Sequence, residues 1–267
     1  CCSQRKIYTI LLELLPDYPT LFWPAAATAV VLIGIAKAGF GGGAGVIGTP
    51  LMALTIPVGD AVALLLPLLI LCDFFSVWHY RASFHRRSAR LLLPGAAIGI
   101  GIGTFFFDQF LGNQQVMRGG IGTLALFFAF YQLFRVRWLG RIEARHPPSA
   151  EGVLMGVVSG FTSTLAHAGG PPVAIFLLPQ KLPRRAFVGT TVVVFAVMNL
   201  LKVGPYIWLD LYHLGNLATV VVLAPLTFVG VRLGIWLNGR FNEVWFNRAV
   251  YVILVVTGVR LLSKALG

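Results

Sequence analysis

The sequence predicts an all-α membrane protein of two inverted-topology repeats, about five membrane elements each, with broken or re-entrant helices at two glycine-rich motifs. Three observations carry this: long apolar blocks, basic residues clustered beside some of them, and proline–glycine patterns that recur in the two halves. Of the 267 residues, 57% are hydrophobic and only 11% charged, too little charge to cover a soluble domain of this size. Stretches free of Asp, Glu, Lys and Arg run over 21–36, 38–59, 61–72, 91–107, 119–134, 152–180, 186–201, 211–231 and 249–259. A bilayer core of about 30 Å needs roughly 20 apolar residues per helix, fewer where helices are broken.

The net charge of +12 would suggest a nucleic-acid partner in a soluble protein. Its distribution points to lipid instead. Arg81, Arg86, Arg87 and Arg90 form one cluster, Arg135, Arg137, Arg141 and Arg145 a second, and Lys181, Arg184 and Arg185 a third. Basic segments beside spans are retained in the cytoplasm, whereas nucleic-acid binding wants them on one exposed surface among base-reading groups. The expected setting is therefore an inner (plasma) membrane, multi-pass, with 81–90, 135–145 and 181–185 cytoplasmic and no nucleic acid.

Placing those segments inside sets the topology. Residues 1–20 form an N-terminal segment; no signal-peptide core is expected there, because Glu13, Asp17 and two prolines interrupt 7–20. The first repeat spans 21–134. Within it, 21–56 is too long for one span and is read as two elements, which puts the N-terminus outside. The block 61–80 enters from an external turn at Pro57–Asp60, 91–107 leaves the cytoplasm and 119–134 returns. After the basic linker 135–150, the second repeat spans 151–267: 152–178 holds two elements starting inside, 186–208 exits, 214–237 returns and 245–264 exits. Five elements per half, an odd number, make the second half inverted. Internal similarity agrees. Pro94, Gly99 and Gly103 recur with the same spacing as Pro225, Gly230 and Gly234. Gly39-Phe40 and Pro50 recur as Gly160-Phe161 and Pro171, and Asp73-Phe74-Phe75 lines up with Asn199-Leu200-Leu201. Inverted repeats are the common architecture of secondary transporters, with the binding site where the repeats meet near the midplane.

Two motifs are candidates for that site. Lys37-Ala-Gly39-Phe-Gly41-Gly42-Gly43-Ala-Gly45-Val-Ile-Gly48-Thr-Pro50 contains a literal G-x-G-x-x-G, but apolar blocks flank it where a dinucleotide fold requires a strand and a soluble sheet. Its glycines either pack helices closely or break a helix so that backbone N–H groups face a cavity and bind an anion; the break is the favoured reading. The counterpart is Ser159-Gly160-Phe161-Thr162-Ser163-Thr164-Leu-Ala-His167-Ala-Gly169-Gly170-Pro171-Pro172, whose adjacent prolines stop or start a helix. Ser163 and Thr164 could donate to an oxyanion or bond back to their own helix. His167 could carry a proton, bind an anion or simply pack.

Lys37, Asp73 and Lys202 lie within or at the end of apolar blocks. A charge at mid-bilayer costs about 2.5–3.5 kcal/mol on insertion scales, so each needs a partner or a cavity. Lys202, close to the external end, is expected to snorkel to the interface. Asp73 can pair with either lysine, and the three sum to +1, which suits an anionic substrate. Cys1, Cys2 and Cys72 offer neither a disulfide framework nor a metal spacing, and no cofactor or metal is expected. An anion channel or uncoupled permease is the alternative within transport. A membrane-embedded enzyme is the alternative outside it, but there is no HExxH, paired-carboxylate or Cys/His motif. A homo-oligomer stays open, because lipid-facing and subunit-facing surfaces read alike.

These motifs, with Gly189-Thr190-Thr191, Asn199-Leu-Leu-Lys202 and the proline–glycine spacing, resemble the TauE/SafE family of sulfite exporters over about residues 21–264. The resemblance implies a carrier of the bacterial inner membrane, moving sulfite, sulfoacetate or a related organosulfonate, generally by export. Combined with the residue-level reading, it places a small sulfur oxyanion between the two broken segments. Gly41, Gly42, Gly43, Gly169 and Gly170 would supply backbone donors, Ser163, Thr164 and His167 side-chain donors, and Lys37 and Lys202 charge. Asp73 would orient Lys37 or, like His167, carry a coupling proton.

Overall fold

A computed structural model describes residues 15–40, 45–138, 144–238, 240 and 243–267. Among them lie ten α-helices and two short 3-10 turns, and no strand. The helices are α1 (Phe22–Phe40), α2 (Gly48–Ala53), α3 (Val58–Tyr80), α4 (Arg86–Phe110), α5 (Gln114–Trp138), α6 (Ser149–Ala166), α7 (Gly170–Leu177), α8 (Arg184–Trp208), α9 (Leu214–Leu237) and α10 (Glu243–Leu266). The order is the same in each half: a long helix, a short one, then three long ones.

Seven of the helices are long and apolar enough to cross a membrane: α1, α3, α4, α8 and α9, and the apolar parts of α5 (Gln114–Leu133) and α10 (Arg248–Leu266). The two-element segments therefore resolve as one long helix and one short one each. The surface agrees with a lipid setting. Phe74, Trp78, Phe105, Phe127, Ile207, Trp208 and Val252 are each more than half exposed, an apolar exterior that water would not tolerate in a monomer. Arg81 stacks over Trp78 and Arg240 over Trp236, the aromatic–basic pairing suited to a headgroup layer.

Proline sets several boundaries. Pro57, Pro148 and Pro183 directly precede α3, α6 and α8 with ψ of 147°, 157° and 141°, extended values that admit a helix only after them. Gly59 and Asp60 thus lie in the first turn of α3 rather than in an external turn. The basic clusters are likewise mostly helical: Arg86, Arg87 and Arg90 open α4, Arg135 and Arg137 close α5, and Arg184 and Arg185 open α8. Arg141 lies outside the described residues; His85 and Ser88, Arg145, and Pro179 and Gln180, each beside one of the clusters, meet at one end of the bundle. The His85 N–H donates to Thr190 Oγ1 (2.8 Å), the Ser88 hydroxyl to Gln180 Oε1 (2.9 Å), and the Arg145 N–H to Pro179 O (3.0 Å). The opposite end collects Tyr18, Val58, Asp60, Gln114 and Asn216 through a second set of bonds.

Helix packing runs between the halves. The helix α4 lies against α6 and α9 against α1, both through glycine. A Cβ at Gly99 would sit 2.0 Å from Val157 O and one at Gly230 2.8 Å from Val31 O; Gly103 and Gly234 meet Phe161 O and Ile35 O in the same way. Small residues let membrane helices approach this closely. These contacts correct the register of the internal match. They pair Val31 with Val157 and Ile35 with Phe161, so Gly160 corresponds to Gly34, not to Gly39. Asp73 and Asn199 are separated by the same 126 positions, and Lys37 then corresponds to Ser163. The Gly-Phe dipeptide misleads because the connection after α1 is longer than that after α6, which displaces Pro50 relative to Pro171.

Candidate functional site

The middle of the bundle holds a polar cavity lined by Ile33, Lys37, Leu69, Ser163, His167, Gly169, Gly170, Phe195 and Asn199. Leu69 and Phe195 lie near the midpoints of α3 and α8, so the cavity sits at mid-depth. The corrected register relates Lys37 to Ser163 and Leu69 to Phe195 across it. Its volume is about 20 Å³, room for about one water. A tetrahedral or pyramidal oxyanion requires the walls to part.

Lys37, in the last turn of α1, is buried and forms an ion pair with Asp73 of α3. Its ammonium also reaches Leu69 O at 3.4 Å. The other carboxylate oxygen accepts from Asn199 Nδ2 at 2.6 Å. Asp73 therefore pairs with Lys37, not with Lys202, and it is tied to α8 as well. Burying two charges is costly unless each is paired and its remaining valences are filled, and here one ammonium, one carboxylate and one amide meet that requirement together.

Lys202 does not snorkel. It is fully buried, reaching from α8 to the end of α6. Its ammonium donates to Ser163 O (3.2 Å), Ser163 Oγ (3.0 Å) and His167 Nδ1 (2.9 Å). It stands behind the cavity wall, one residue from the open space. All three partners are neutral, and among the described residues no carboxylate lies within ion-pair distance of it. With Nδ1 accepting, His167 holds its own proton on Nε2 and donates it to Val62 O at 3.0 Å. Ser163 Oγ accepts from the ammonium, which leaves its hydroxyl hydrogen free for the cavity. An ammonium behind a hydroxyl makes that hydroxyl a charge-assisted donor.

The break between α6 and α7 places His167 at φ 51°, ψ 30°, a left-handed conformation uncommon outside glycine. The conformation closes α6, with N–H bonds from His167 to Ser163 O (2.9 Å) and from Ala168 to Thr162 O (3.2 Å). Ser159 Oγ donates to Gly169 O at 2.8 Å, and Thr162 Oγ1 shares its hydrogen between Val158 O at 2.9 Å and Ala168 O at 3.1 Å. Gly169 and Gly170 then open α7 with N–H groups the helix itself cannot satisfy, and Pro171 and Pro172 bring none. Thr164 takes no part in the cavity wall. Its hydroxyl bonds back to Gly160 O at 2.9 Å, and its carbonyl accepts from Tyr206 OH at 2.8 Å. Thr164→Val should therefore shift the melting temperature modestly and leave ligand affinity unchanged, whereas Ser163→Ala should weaken affinity; a titration of both variants checks the contrast.

The structure thus brings Lys37, Ser163, His167, Gly169 and Gly170 to one cavity, with Asp73 and Lys202 directly behind it. Gly41, Gly42 and Gly43 lie outside the described residues. Asn199 was missing from the candidate set, although its alignment with Asp73 was a usable signal. Ile33, Leu69 and Phe195 carried none, since an apolar wall residue reads like any other in a span.

Comparison with known proteins returns one family. A family model described as sulfite exporter TauE/SafE matches residues 26–261. No curated protein and no solved structure matches the chain.

Proposed function

The chain belongs to the sulfite exporter TauE/SafE family, and from that premise we propose that it is a secondary transporter of a small sulfur-containing oxyanion such as sulfite, sulfoacetate or another organosulfonate. The observation that carries this is Lys202, a buried lysine whose bonding partners are all neutral, so that a bound anion would hold it in its ammonium form. Lys37 and Asp73 cancel, so a bound anion would supply the missing negative charge. The anion occupies the mid-depth cavity, taking the Ser163 hydroxyl, the uncommitted N–H of Lys37 and the backbone N–H groups of Gly169 and Gly170. Such a set of charged and polar donors away from water recognises an oxyanion strongly.

We read the two halves as inverted repeats that rock about this cavity. The paired positions Lys37/Ser163 and Leu69/Phe195 support that reading, as does a tether repeated in each half: Tyr80 OH donates to Ala38 O and Tyr206 OH to Thr164 O, both at 2.8 Å. In alternating access one repeat moves against the other around a fixed site. We place the end holding the basic clusters in the cytoplasm of a bacterial inner membrane and assign export as the direction. Coupling to protons would run through His167 or Asp73, the groups in contact with the two lysines.

Purified protein in detergent should be stabilised by at least one of sulfite, sulfoacetate, thiosulfate and sulfate, by about 2.7 kcal/mol at a hundredfold excess over Kd. The stabilisation should vanish in Lys202→Met, which removes the charge at similar volume and orphans no carboxylate. A folded wild type that none of these anions stabilises would refute the sulfur-anion assignment.

A further inference from the structure

At the basic end of the bundle lies a second cavity, separate from the mid-depth one and larger, about 110 Å³. It is lined by His85, Arg87 and Ser88 at the start of α4, His146 before α6, Phe176 near the end of α7 and Gln180 in the 3-10 turn after it, with apolar residues completing the wall. The polar side is built rather than incidental. Ser88 is buried, and its hydroxyl donates to Gln180 Oε1 at 2.9 Å. The Gln180 amide in turn donates to Phe176 O at 2.9 Å. Because the Ser88 hydrogen is spent, Ser88 Oγ accepts from His85 Nδ1 at 2.8 Å, so His85 holds the Ser88–Gln180 pair in place. The lining holds a guanidinium and two imidazoles and no carboxylate. The nearby Glu151 is taken by Arg145, with both guanidinium arms on its two oxygens at 2.7 Å.

The helix α7 joins the two cavities. Gly169 and Gly170 at its start line the mid-depth cavity, and Phe176 near its end, with Gln180 in the turn beyond, lines the outer one. Eight helical residues span about 12 Å, so the two cavities lie about the length of one short helix apart. A field of like charge at a cleft mouth raises the local concentration of the opposite charge and speeds its capture.

We propose that the outer cavity is a second oxyanion site, where Arg87 and His146 capture the anion before it passes along α7 to the mid-depth cavity. This rests on the transporter reading, and the order of capture and passage rests on the basic end facing the cytoplasm.

Equilibrium dialysis of delipidated protein in neutral detergent against radiolabelled sulfite tests it. The wild type should bind two equivalents. Arg87→Gln/His146→Gln, both exposed positions, should bind one, as should Lys202→Met, and the triple variant none. Transport in vesicles by the Arg87/His146 variant should show KM raised several-fold with the maximal rate little changed. One equivalent in the wild type, lost only in Lys202→Met, overturns the outer site while the central reading stands. One equivalent lost only in Arg87→Gln/His146→Gln keeps the outer site and removes the central one. Loss of the second equivalent when anionic lipid is added in stoichiometric amount assigns the cavity to a lipid headgroup and overturns the proposal.

Discussion

Asp73→Ala should yield little folded protein, while Lys37→Met/Asp73→Leu should fold and fail to bind the anion. In the single variant a buried ammonium loses its only carboxylate partner and the Asn199 amide loses its acceptor. Removing one member of a buried pair costs about 3–5 kcal/mol, whereas replacing both by apolar residues of similar volume is often neutral or better. A fluorescence-detected size-exclusion profile and a detergent melting curve read the folding half of the prediction. Titration with sulfite reads the binding half, since the double variant deletes a cavity-lining donor. If Asp73→Ala melts with the wild type, the pair does not hold α1 to α3, and the bridge to Asn199 of α8 carries no weight either.

Gly99→Ala should be as damaging, and Gly101→Ala should not. A methyl group at Gly99 would lie 2.0 Å from Val157 O, a backbone atom that cannot rotate away, whereas Gly101 has nothing within 4 Å. Accommodating the methyl means separating α4 from α6 along a contact that also includes Gly95, Gly156 and Gly160. That loss should exceed the roughly 1–3 kcal/mol typical of overpacking. At Gly101 the helix gains propensity instead, by about 1 kcal/mol. Melting curves for the two variants, two positions apart and on nearly opposite faces of α4, give the comparison; equal melting temperatures would show that the helices are not in backbone contact.

Much of the site was legible because a charge or a proline in an apolar block is rare enough to stand out. Lys37, Asp73, Lys202 and His167 announced themselves that way, and the adjacent prolines marked the break before α7. Partner choice was not legible. Asp73 had two lysines to choose from, and the depth of Lys202 was misjudged because its distance from a helix end says nothing about which way the side chain points. It points inward, onto Ser163 and His167. Thr164 illustrates the same limit. Three neighbouring hydroxyls look equivalent in sequence, but helical geometry turns Thr164 back to Gly160 O and leaves Ser163 facing the cavity.

The sequence by itself determined that this chain lives in a bilayer, that proline–glycine patterns recur along it, and that charged groups stand beside two glycine-rich motifs. Those follow from solvation: hydrocarbon rejects charge and unpaired backbone so strongly that composition alone reveals where the chain can and cannot lie. Only the tertiary structure decided the register of the halves, the pairing of Lys37 with Asp73 and Asn199, and the isolation of Lys202 among neutral partners. These depend on which helix faces meet, and close glycine packing settles that at distances of a few ångströms, far below what the spacing of residues along one chain can resolve.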